Sequence, residues 1–155
     1  MRRWLTVSLS ILAGLLVVYA AYAFFVSHDN GDRVNVTIHA GVHKDGAKAG
    51  KMYYQCTSLS GPGASKDDTD QCTVTVHKRD KVTFTVISDD GPGRTHDFKL
   101  LGAPYLLYPA GIEMEIEDGS QSGTFVAWAT GDYTFICEFA GHEDAGMWGT
   151  LRVLD

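Results

Sequence analysis

Beyond Val26 no stretch of this chain repeats its apolar residues at helical spacing; they recur instead at every second position. Val34, Val36 and Ile38 alternate with Arg33, Asn35, Thr37 and His39, and the run Val82-Thr-Phe-Thr-Val-Ile87 alternates in the same way. A period of two places one apolar face on a core and one polar face in water, which is the pattern of a half-buried strand. Met52–Cys56, Cys72–His77, His96–Leu101, Ile112–Glu117, Thr124–Trp128, Tyr133–Cys137 and Met147–Leu154 are further strand candidates. Turn residues punctuate them: a Gly/Lys/Asp loop over 41–50, Arg79-Asp80, Asp89-Asp90-Gly91-Pro92-Gly93 and Thr130-Gly131-Asp132. Eight or nine short strands at this spacing predict an all-β fold, a single Greek-key β-sandwich over residues 34–155. Residues 101–109 leave room for a short irregular turn.

The N-terminus is different. After Met1-Arg2-Arg3, the 23 residues from Trp4 to Val26 carry no charge. As a helix they would span roughly 35 Å, against a hydrocarbon core of about 30 Å. Residues 1–26 therefore read as one transmembrane anchor and 27–33 as a short linker. Ala21-Tyr22-Ala23 leaves a second reading open, a signal peptide cut at a small-x-small site. The paired arginines favour the cytoplasmic side, so both readings put the sandwich outside the cell membrane, single-pass and anchored or released to the periplasm or exterior. All 19 acidic residues and 11 of the 13 basic ones follow Val26, a net charge near −8. That balance argues against nucleic acid as a partner.

Cys56 and Cys72 enclose 15 residues that read as a polar loop between two strands. An oxidising compartment favours a disulfide there, with two separate thiols as the alternative. If they pair, Cys137 is left over.

Cys137, His142 and Met147 follow one another with four residues between each pair, in a loop carrying Gly141 and Gly146. Thiolate, imidazole and thioether select copper, zinc or iron–sulfur chemistry over magnesium or calcium. Two histidines, a cysteine and a weak axial methionine make the blue-copper arrangement, which requires one more histidine. Of the six present, His28 and His43 fall in polar loops, and His39 and His77 lie on the polar side of their strands. His96 opens a strand 41 residues before Cys137, a position that a neighbouring strand can bring to the same end of a sandwich.

His96-Asp-Phe, then Tyr133-x-Phe-x-Cys137, four residues, His142, four residues and Met147-x-Gly149 together resemble the type 1 copper cupredoxins. The spacing and the anchor are most similar to the sulfocyanin and rusticyanin branch. The resemblance implies one copper ion, with His96 and His142 as nitrogen ligands, Cys137 as thiolate and Met147 as axial thioether. It implies an electron carrier and not an enzyme, exchanging single electrons with redox proteins of a membrane chain, a cytochrome or a terminal oxidase. Asp97 stands where the family often has Asn or Ser, which lowers the expected reduction potential. Phe139, Ala140 and Ala145 are expected around His142, and Trp148 in the core. Two other readings stay open. One is an extracytoplasmic copper-delivery module or oxidase-associated copper subunit; the other is a structural zinc site.

Overall fold

Alternation in sequence becomes alternation of burial. In the computed structural model, which describes residues 31–67, 71–91, 93–102, 113–117 and 119–155, ten strands carry it. They are β1 (Arg33–Val42), β2 (Met52–Ser60), β3 (Ser65–Asp67), β4 (Cys72–His77), β5 (Lys81–Ser88), β6 (His96–Leu100), β7 (Glu113–Ile116), β8 (Ser120–Val126), β9 (Gly131–Ile136) and β10 (Trp148–Leu154). The expected anchor, residues 1–26, and residues 103–109 of the turn expected over 101–109 lie outside the described residues. Among the described residues the one helical piece is a 3-10 turn, Gly46–Lys48, and no helix is long and apolar enough to cross a membrane.

The strands form two sheets, in the orders β2-β1-β5-β8 and β3-β4-β10-β9-β6-β7. Both are mixed: β1 runs parallel to β5 and β10 parallel to β4, while the other pairs are antiparallel. The all-β sandwich expected from the sequence is therefore present. Between the sheets lie the inward rows, among them Val34, Val36 and Ile38 of β1 and Val82, Phe84 and Val86 of β5. An aromatic cluster joins the layers, with ring centroids 5.1 Å apart for Phe84–Phe98, 5.2 Å for Phe98–Phe135 and 5.8 Å for Tyr54–Phe135. Each such fully buried ring contributes about 1.5–3 kcal/mol of apolar transfer energy.

Cys56 of β2 and Cys72 of β4 are bridged, with Cα atoms 5.3 Å apart. Because β2 and β4 belong to different sheets, the disulfide ties one layer to the other and does more than close a loop.

Three expectations need correction. Ser65–Asp67, inside the presumed loop, pairs with β4 as a short edge strand; all three residues are exposed, so no apolar period marked it. The eighth strand starts at Ser120 and not at Thr124, because its first three residues are exposed polar groups held only by pairing with β5. The linker ends earlier than 33. Arg33 already pairs with Lys81, and Asp32 donates its N–H to the Asp80 carboxylate at 3.0 Å while its carbonyl accepts from Lys81 at 2.8 Å.

Candidate metal centre

Three neighbouring strands of the larger sheet converge on one end of the sandwich. β9 lies between β10 and β6. Its register puts Ile136 opposite both Trp148 and Lys99, so residues just past these positions come together: Cys137 after β9, Met147 before β10, and His96 at the start of β6. One ligand atom from each of His96, Cys137 and His142 lies within 4.8 Å of the others. This is the single group of three or more potential His, Cys, Asp or Glu ligands among the described residues.

The connecting loop, residues 138–147, is shaped by its own backbone. His142 N–H donates to the Phe139 carbonyl (2.9 Å), Ala145 to Gly141 (3.0 Å) and Met147 to His142 (3.0 Å). Gly141 and Gly146 take φ of 82° and 110°, where a side chain would be strained. Two bonds fasten the loop to the sandwich: Cys137 N–H to the Met147 carbonyl at 3.1 Å and Met52 N–H of β2 to the Ala145 carbonyl at 3.1 Å.

The Cys137 thiol is buried and outside any disulfide. Its sulfur stands 3.2 Å from His142 Nδ1 and accepts the Asp97 N–H at 3.3 Å. Burial pushes the thiol pKa up, and N–H donors from Asp97 and Phe139 pull it down. Such donors favour the thiolate, the ligating form. The Tyr54 hydroxyl donates to the Asp97 carbonyl and also reaches the Cys137 sulfur, linking the aromatic core to the site.

His96 is 1% exposed; its Nε2 meets Asp90 Oδ2 at 3.1 Å and its Nδ1 has no hydrogen-bond partner. An orphaned buried nitrogen on a histidine grouped with a thiol and a second imidazole fits a metal ligand. The His96 and His142 rings lie 5.4 Å apart. Burial holds the His142 pKa down, with His96 and Arg94 adding to the effect and Asp90 opposing it, so its ligating neutral form is favoured. Met147 is fully buried and enters the site through its backbone bonds to Cys137 and His142. The donor set, sulfur and imidazole nitrogen, fits copper.

Of the other histidines, His39 pairs with Asp89 at 2.7 Å and His43 packs on Tyr53 at 4.6 Å. Trp148 departs from expectation. It is half-buried and lines an open groove with Met52, Tyr53 and Tyr54 instead of filling the core. Sequence reading missed Tyr54, which looked like one more strand residue, and Asp90, which looked like turn chemistry. A second aspartate beside Asp89, more than a turn needs, was the available signal.

No protein-family model and no curated protein matches the sequence. Solved structures match the fold. An auracyanin from the photosynthetic bacterium Roseiflexus castenholzii is 18% identical with a TM-score of 0.52, over 78% of this chain and 97% of that one. A copper nitrite reductase from Nitrosomonas europaea is 26% identical with a TM-score of 0.52, over 79% of this chain. A multicopper oxidase is 17% identical with a TM-score of 0.52, over 81% of this chain. The chain spans only 41% and 43% of the length of these two larger proteins. Such matches establish architecture: the chain has the cupredoxin fold, and its His96, Cys137 and His142 group fits a type 1 copper centre.

Proposed function

We propose that this chain is a membrane-anchored electron carrier that holds one copper ion through His96, Cys137 and His142, with Met147 as axial ligand. The observation that carries the reading is the buried Cys137 sulfur grouped with two imidazoles and held by loop and strand backbone bonds. Bound there, copper supplies a one-electron change of oxidation state. The chain's part is to keep the ligands nearly still, and three adjacent strands with a self-bonded loop do so. His96, Cys137 and Met147 are buried and exclude water, while His142 is half-exposed. Phe139, 37% exposed, lies with its ring 5.6 Å from that of His142, so an apolar ring flanks the ligand that a partner can approach.

Carrier is favoured over a multicopper enzyme because the sequence has no His-x-His pair for further copper. The charge-free run from Trp4 to Val26 supports an anchor with the copper domain on the extracytoplasmic side of the cell membrane. That location suits partners in a membrane electron-transport chain, a cytochrome or a terminal oxidase. The four-and-four ligand spacing supports the sulfocyanin and rusticyanin branch.

The visible spectrum of the copper-loaded chain tests this. An intense thiolate-to-copper band, absent from Cys137→Ser, is expected. A folded, copper-replete protein without the band refutes the proposal.

A further inference from the structure

Asp90 lies in the turn between β5 and β6, yet its side chain is only 4% exposed. Both carboxylate oxygens are engaged. Oδ1 accepts the N–H of Val42, the last residue of β1, at 3.1 Å, and Oδ2 meets His96 Nε2 at 3.1 Å. Val42 contributes a backbone donor, so it has no alternative to an acceptor opposite it. Asp89 anchors the same turn, through its N–H to the Ala40 carbonyl (2.9 Å) and its carboxylate to His39 and Tyr53.

A neutral imidazole carries one N–H, and its position is set by what each nitrogen meets. Beside a carboxylate, Nε2 carries the hydrogen. Nδ1 is then left as a bare lone pair, buried and unpartnered; a hydrogen there would be a buried donor with no acceptor. Nε2 is blocked by Asp90, so Nδ1 is the atom His96 has for a metal.

We infer that Asp90 is the positioning residue of the metal centre: its paired acceptor bonds to Val42 and His96 fix His96 in the Nε2–H tautomer, with Nδ1 presented as the ligand atom before metal binds. The consequence for copper rests on the function proposed above; the tautomer does not. An amide cannot replace this carboxylate. Asn offers a single acceptor oxygen, so at position 90 its NH2 must confront either the Val42 N–H or His96 Nε2. In the second case the imidazole hydrogen moves to Nδ1, where it opposes metal binding. Loss of an orienting partner of this kind typically costs about 10–100-fold in metal affinity.

The test is nitrogen-15 NMR of the metal-free full chain, with a copper(II) titration of the same sample. In the wild type, His96 should show a pyrrole-type Nε2 and an imine-type Nδ1. In Asp90→Asn, a Nδ1–H population should appear and copper(II) affinity should fall by about 10–100-fold. A wild-type His96 with its hydrogen on Nδ1 overturns the inference whether or not the variant folds. So does a folded Asp90→Asn that keeps both tautomer and affinity within about twofold, well inside that range. The expected tautomers in a protein whose copper form lacks the thiolate band would support the inference while refuting the carrier function.

Discussion

At the scale of the residue, Asp97 acts twice on the sulfur of Cys137. Its backbone N–H donates to that sulfur at 3.3 Å, a bond any residue could make. Its carboxylate belongs to Asp97 alone. Burial raises its pKa, as do the surrounding Glu115, Glu138 and Glu113, with His96 opposing, so negative charge is concentrated on this flank of the site. Lys99 bonds both Glu138 carboxylate oxygens, at 2.9 and 3.0 Å, which offsets part of that charge. Negative charge near the centre favours the more positive, oxidised metal. Asp97→Asn keeps the backbone donor and removes the charge. Voltammetry should therefore show a midpoint potential higher by tens of millivolts, on the order expected for one partly screened charge at the edge of a protein. An unchanged or lower value would show that the carboxylate is too well solvated to matter. The residue type was legible in the sequence; its separation into a generic backbone bond and a specific charge was not, because that depends on which atom faces the sulfur.

At the scale of the element, the strand that leaves the ligand loop is fitted to its neighbours at Gly149. A Cβ there would stand 2.3 Å from the Phe135 ring and 2.5 Å from the Cys72 carbonyl oxygen. Gly149 pairs with Phe135 on one side and Cys72 on the other, so both obstacles belong to adjoining strands of the same sheet. The Phe135 ring is packed against Phe98, Phe84 and Tyr54, and the carbonyl is backbone, so relief requires β10 to move. Gly149→Ala should cost about 1–3 kcal/mol, the usual range for overpacking a tight site. A denaturant midpoint shifted downward without a change in slope would register it; a cost below about 0.5 kcal/mol, the range of neutral surface changes, would contradict the close approach. Because Met147 lies two residues upstream, the same variant should also broaden or shift the thiolate band. The alternating pattern revealed β10 as a strand. It was silent on which strands flank it, since a period of two fixes a face and not a neighbour.

At the scale of the molecule, the Cys56–Cys72 bridge joins the two layers covalently. In unfolded, unreduced, metal-free protein one free thiol should titrate, that of Cys137; three would disprove the bridge. Replacing Cys56 and Cys72 together by serine should lower stability by about 3 kcal/mol, the chain-entropy value for a loop of this length. A loss below about 1 kcal/mol would mean that the sheets hold together without it, far from that estimate. By itself the sequence determined the fold class, the positions of most strands and the soft ligands of one loop, because period, turn residues and donor chemistry are local properties; it left the cysteine pair as one of two readings. Only the tertiary structure decided that β1 and β5, and β4 and β10, run parallel, that the disulfide crosses between sheets, and that the Asp89-Asp90 turn carries a buried acceptor for His96. Those are choices among distant partners. They are settled when three strands close on one end of a core and each buried donor must find an acceptor.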